Sequence, residues 1–168
     1  IENWNTSSVE NMGEMFANTT NAFSNELDLS NWDTSTVINM ENMFYGLRIT
    51  SLNVAGWDTS NVENMDSMFA NSNINEIEGL GSWNTVNVKT MHMMFRRVYG
   101  LDYINIENWN TSNVTDMDGM FEDTYFSEML DLTLWNVCKV TSYGGFSYDE
   151  NTIKPYFGDS SRCNGSGR

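Results

Sequence analysis

One proline, one histidine, two cysteines and eight basic residues in 168 positions leave several functions without the side chains they need. The single histidine, His92, cannot be built into a His-Ser-Asp or Cys-His arrangement, because the same slot holds acids or glycine in the neighbouring repeats. The chain therefore reads as a non-enzyme, with no catalytic residues and no cofactor. Cys138 and Cys163 are the only cysteines and form no CxxC pattern, which argues against a zinc site. Eight Lys and Arg against 23 Asp and Glu give a formal charge of −15, which repels a phosphate backbone and excludes nucleic acid as a partner. No run approaches the roughly 18–20 apolar residues of a membrane span, so this segment makes no membrane contact. The acidic balance suits high-salt solubility, divalent cations or a basic partner.

What is present is regularity. The six tryptophans, Trp4, Trp32, Trp57, Trp83, Trp109 and Trp135, are spaced by 28, 25, 26, 26 and 26 residues. Aligned on Trp, the first five units read W-[ND]-T-[SV]-x-V-x-x-M-x-x-M-F, and ten of the twelve methionines fill the two Met positions. One unit cannot bury its own Leu, Trp, Val, Met and Phe, whereas neighbouring copies can bury them against each other in columns, with the tryptophans as a structural ladder.

Within a unit, Val9, Met12 and Phe16, and their counterparts such as Val62, Met65 and Phe69, stand at i, i+3, i+7, which predicts a helix of two to three turns. Thr-Ser pairs ahead of it (Thr6-Ser7, Thr59-Ser60) supply N-caps, with Glu10 and Glu63 completing capping boxes. The Asn or Asp after each Trp suits side-chain bonding within a turn. Ahead of Trp the pattern alternates, as in Leu27-Asp28-Leu29, Leu52-Asn53-Val54, Ile104-Asn105-Ile106 and Leu130-Asp131-Leu132, which predicts short strands. Ile77-Glu78-Gly79-Leu80 is one residue out of step and predicts a bulge or loosened strand. Together these give an α/β repeat fold, a right-handed leucine-rich-repeat-like solenoid. Each coil of about 26 residues carries one short strand and one short helix, and a parallel sheet lines the concave face. Residues 1–134 form five repeats and 135–168 a final half-repeat with a C-terminal cap.

The segments LDLSNWDTSTVINMENMF (27–44), GWDTSNVENMDSMF (56–69) and ENWNTSNVTDMDGMF (107–121) resemble the 26-residue repeat of BspA-like leucine-rich-repeat surface proteins of bacteria, once grouped as a mycoplasma domain of unknown function. The resemblance covers about residues 1 to 146. Val86 departs from it in the fourth unit, and Tyr143 and Phe146 replace both methionines in the sixth. It implies a leucine-rich-repeat-like fold, a place on the cell surface, and adhesion or recognition. It carries over no catalytic residues.

The opening IENWNTS (1–7) matches residues 106–112 letter for letter, so the chain is expected to start within a strand, as a piece of a longer protein. The end, with both cysteines and Pro155, loses the pattern and reads as a cap. There Cys138 and Cys163 either pair, the favoured reading, or remain two buried thiols; a bridge would require an oxidising, extracellular compartment.

Polar residues alternating with the strand core face outward, and the candidate ligand-binding set is Asp28, Ser30, Asn53, Tyr103, Asn105, Glu107, Asp131 and Thr133. A cluster in the fourth repeat, Lys89, His92, Arg96 and Arg97, is read first as charge relief between repeats, with Lys89 beside Glu63 and His92 between Asp66 and Asp118. DMDGMFED (116–123) fails as a calcium loop, because Met120 takes a ligand position and Gly119 comes too early, so no metal site is expected. The reading that follows is an extracellular recognition or adhesion module of a bacterial surface protein. Its partner would be a protein or glycan of a host or neighbouring cell, bound through the concave strands and variable rim loops (17–25, 45–50, 96–101, 122–128). The alternative is a structural spacer with no ligand.

Overall fold

The computed structural model describes residues 1, 4–19 and 25–163. Residues 20–24 of the first variable loop and the tail 164–168 lie outside them. Among the described residues five short strands are present: β1 (Glu26–Asp28), β2 (Arg48–Asn53), β3 (Asn73–Glu78), β4 (Leu130–Asp131) and β5 (Thr152–Ile153). They form two separate parallel sheets, β1-β2-β3 and β4-β5. Leu27, Leu52 and Ile77 share one register position, and Asp28, Asn53 and Glu78 the next.

The expected α/β leucine-rich-repeat-like solenoid is not the architecture. Among the described residues there is no α-helix, only three-residue 3-10 helices at Leu80–Ser82 and Ser160–Arg162, and the single parallel sheet is replaced by two short ones. None of the described helices is long and apolar enough to cross a membrane.

The backbone explains why the predicted helix does not form. Glu14 and Asn18 both have left-handed φ (59° and 56°), and the same two positions recur at Asn42 and Gly46, Ser67 and Asn71, Met93 and Arg97, and Gly119 and Asp123. A right-handed helix cannot pass through such residues. Instead, the N–H groups of Met12, Glu14, Phe16 and Asn18 donate to the carbonyls of Asn39, Glu41, Met43 and Tyr45 in the next repeat, while Met15, Ala17 and Thr19 donate three residues back. The same division returns at Met65, Ser67, Phe69 and Asn71, which bond to Thr90, His92, Met94 and Arg96. Bridges Asn11↔Asn39↔Asn64↔Thr90↔Asp116↔Ser142 mark one column of this ladder. Apolar side chains at i, i+3, i+7 thus lie on the inside of a chain of tight turns, and the neighbouring repeat satisfies the polar backbone that a helix would satisfy internally.

The core is columnar. Phe16, Phe44, Phe69, Phe95 and Phe121 stack at 5.2–5.6 Å with interplanar angles of 14° or less. Beside them Trp57, Trp83, Trp109 and Trp135 stack at 5.9–6.3 Å. Both methionines of repeats two to five are fully buried, as are Val37, Val62, Val88 and Val114. Trp4 departs from the ladder's burial: it stacks on Trp32 at 6.1 Å but is 54% exposed, and among the described residues no second ring stacks on it.

The capping role expected for the threonines falls with the helices. Thr6, Thr34, Thr59, Thr85 and Thr111 are buried, and each hydroxyl donates to a carbonyl of the next repeat, those of Asp33, Asp58, Asn84, Asn110 and Asn136, at 2.9–3.1 Å. The Asn/Asp column closes turns: Asn5, Asp33, Asp58, Asn84, Asn110 and Asn136 accept from the backbone N–H two residues on. The out-of-step residue is Gly79, at φ 104°, placed just after β3. A Cβ there would lie 2.5 Å from the Ala55 backbone nitrogen, so only glycine fits.

Candidate functional site

The outward strand residues fall into two groups. In the first, Asp28 and Asn53 are register partners on β1 and β2. Asp28 Oδ1 accepts from Ser30 N at 3.0 Å, and Asn53 Oδ1 accepts from Ala55 N at 3.0 Å. In the second, Tyr103 donates to Glu107, and Asp131 Oδ1 accepts from both Thr133 N (2.9 Å) and Thr133 Oγ1 (2.7 Å). Asn105 sits against Gly81, whose added Cβ would meet Asn105 Nδ2 at 2.8 Å.

Between the groups the sheet is interrupted. Residues 101–106 belong to no described strand, and among the described residues the ladder from β3 to the fourth repeat is reduced to the Asn73↔Tyr99 bridge. Sequence alternation placed all eight residues on one continuous sheet; the extra residue at Gly79 and the left-handed Gly100 (φ 93°) break it.

These hydrogen bonds set the electrostatics. The Ser30 backbone N–H and then the Ser30 hydroxyl hold the Asp28 carboxyl below its ordinary range, and the Thr133 hydroxyl and N–H do the same for Asp131. The bond to Glu107, reinforced by burial, pushes the Tyr103 phenol up to about 12. Much of the polar capacity of the candidate residues is therefore spent inside the protein, and the face is less a polar cradle than the sequence suggests.

Apolar groups stand out in their place. Tyr103 is 39% exposed, Met129 65% and Ile153 38%, with Tyr99 (53%) and Tyr125 (61%) four residues ahead of the first two. Ser127 N and Glu128 N both donate to Asp102 O, and Ser127 Oγ donates to Asp102 Oδ1 at 2.6 Å, which joins the Tyr103 segment to the one carrying Glu128 and Met129. Ile153 pairs with Asp131 across β4 and β5. Met129, Ile153, Tyr99 and Tyr125 were not among the sequence candidates. The available signal was the pair Met129-Leu130, two consecutive apolar residues where the alternation calls for one.

The basic cluster of the fourth repeat is paired with acids of adjoining repeats: Lys89 with Glu63 at 2.5 Å, Arg96 with Glu122 at 2.8 Å and Arg97 with Asp123 at 3.0 Å. His92 donates its backbone N–H to Asp66 Oδ1 at 3.0 Å. Among the described residues, no group of three or more His, Cys, Asp and Glu is arranged to hold a metal ion.

At the C-terminal end Cys138 and Cys163 are joined in a disulfide, with Cα atoms 5.4 Å apart. The bridge borders a cleft of about 740 Å³ lined by Leu134, Trp135, Asn136, Tyr156, Asp159 and Arg162 among others. Arg162 lies 3.4 Å from the Tyr156 ring centroid, covering that ring.

Parallel repeats in register, buried aromatic columns and a mixed acidic and apolar outer face define a tandem-repeat protein. The family described as "Mycoplasma protein of unknown function, DUF285" matches residues 1–77 and again 64–154, and the chain belongs to that family. The match is compatible with a bacterial surface-repeat family. No curated protein matches the chain, and no solved structure does.

Proposed function

We propose that this chain is a recognition or adhesion module of a bacterial surface protein of the BspA-like type, working outside the cell through the outer face of its repeats. The observation that carries the reading is the exposure of Tyr103, Met129 and Ile153 on consecutive repeats, in a protein whose large apolar side chains are mostly buried in columns. Exposed apolar groups concentrated on one face mark contact surfaces, whereas scattered single ones do not. The Cys138–Cys163 bridge supports an extracellular setting, because such bonds persist in oxidising compartments.

The test is a binding screen of the folded protein against extracellular-matrix proteins, purified surface proteins and a glycan array, with a Tyr103→Ala/Met129→Ala variant alongside. Binding that the variant loses is the expected result. A folded protein that binds nothing in the screen would instead make the chain a spacer.

A further inference from the structure

Resting on that recognition reading, we infer that the outer face of the fourth to sixth repeats docks a basic protein segment, one that presents aliphatic or aromatic side chains between lysines or arginines. Tyr103 and Met129 form the apolar seat. Asp102 and Ser127 tie their two segments together, so the two exposed side chains come from joined stretches of adjacent repeats, with Glu128 next to Met129. Ile153 extends the seat beyond Asp131.

Four carboxylates frame it. Asp102 precedes Tyr103, Glu107 accepts the Tyr103 hydroxyl, Glu128 is close enough to act on the Tyr103 phenol electrostatically, and Asp131 lies two residues beyond Met129. Among the described residues, none of these four has an ion-pair partner, although the protein pairs Glu63, Glu122 and Asp123 with its own cations elsewhere. The uncompensated charge surrounds the apolar seat, which is the complement of apolar anchors flanked by cations.

The same chemistry separates a protein segment from a glycan. The framing carboxylates repel sulfated or sialylated sugars. Hydroxyl-rich sugars need free polar groups, yet Asp131 is engaged with Thr133 and Glu107 with Tyr103. Methionine supplies a soft surface that adapts to varied apolar side chains.

The experiment is a selection of random twelve-residue peptides displayed on phage against the intact, oxidised protein, followed by affinity measurements on the enriched peptides. The expected peptides combine Lys or Arg with Leu, Phe or Trp. Their affinity should fall roughly tenfold with Met129→Glu, as for loss of a central anchor. It should also fall with Glu128→Gln/Asp131→Asn and with added salt. Asparagine holds the equivalent turn at Asn53, so Asp131→Asn preserves the local fold, and unchanged thermal unfolding of each variant certifies it. Enrichment of peptides without basic residues, affinity indifferent to Met129→Glu, or no enrichment would overturn the inference. If surface proteins or glycans still bind and the Met129→Glu protein binds them equally, the recognition reading stands and this face is not its site. If neither screen yields binding, both fall.

Discussion

Trp57 and Trp83 offer a test with its own control. They stack on each other at 5.9 Å and an interplanar angle of 1°, and are 3% and 4% exposed. Replacing either with Phe removes the same volume from the same column, at a similar packing cost of about 1–2 kcal/mol. Their indole nitrogens differ. Trp57 Nε1 donates to Leu29 O at 2.9 Å, and Trp109 and Trp135 make the equivalent bond to Leu80 and Ile106. Trp83 Nε1 is buried with no partner, and Val54, the residue whose carbonyl would continue the series, is the one against which the extra Gly79 packs. Trp57→Phe therefore loses a hydrogen bond worth about 1 kcal/mol, while Trp83→Phe removes a buried unpaired donor that costs about 1–3 kcal/mol. We expect Trp57→Phe to destabilise by about 2–3 kcal/mol and Trp83→Phe by about 1 kcal/mol or less, a gap near 2 kcal/mol. Urea unfolding followed by circular dichroism reads this directly, provided the two variants share an m-value. Equal losses, or a larger loss at Trp83, would refute the argument that the inserted glycine orphans this indole.

Further predictions concern the cap, the turns and the insertion itself. Reduction, or Cys138→Ser, opens a link between residues 25 apart and should cost about 2–4 kcal/mol, read as a lower melting temperature; an unchanged melt would show that the bridge constrains nothing. Asp33 and Asp58 are held below their ordinary 3.8 by the hydroxyl and then the N–H of Ser35 and Ser60, so their stabilisation is present above about pH 4 and is lost as pH falls through the lowered values. Asp33→Asn/Asp58→Asn keeps the turn that Asn84 and Asn110 make, so it should leave neutral stability nearly unchanged while flattening the acid limb of the melting curve. An acid limb as steep as before would rule these groups out as its source. Gly79→Ala meets both a left-handed φ and the Ala55 backbone, and should destabilise by more than about 2 kcal/mol in the same urea assay; a silent substitution would mean the insertion is not tightly packed.

The repeat, its period and its buried columns were legible in the spacing of Trp, Met and Phe, because packing identical units demands identical residues. The helix was a misreading with a physical cause. Val9, Met12 and Phe16 at i, i+3, i+7 fit one helix face, but they equally fit turns whose i→i+3 bonds bring every third or fourth side chain inward. The signal that separates the two lay just past Phe: Asn18, Gly46, Asn71 and Asp123 occupy the left-handed position, and these residue types tolerate it best. Asn, Ser, Thr and Val within the unit are also weak helix formers, and so short a helix has little cooperativity to offset them.

The outer face shows the same limit from the other side. Asp28 and Asp131 are exposed and Asn53 half-buried, yet a short polar residue two places before a turn N–H has a structural use that requires no ligand. Outward polarity is the default for a soluble surface and therefore says little about binding. A cluster of outward apolar residues is the informative feature, since single exposed ones are ordinary on a protein surface. Glu26, Ser51 and Glu76 precede Leu27, Leu52 and Ile77 as Tyr103 and Met129 precede Ile104 and Leu130, so this position changes from polar to apolar partway along the protein and back to polar at Asn151, before Thr152. Core packing does not impose that change, because Leu27, Leu52, Ile104 and Leu130 are buried beside polar and apolar outer neighbours alike, although Ile77 at the same position is half-buried. A position whose outer residue varies while its inner neighbour stays apolar is where the proposed contact with another molecule would leave its mark on the sequence.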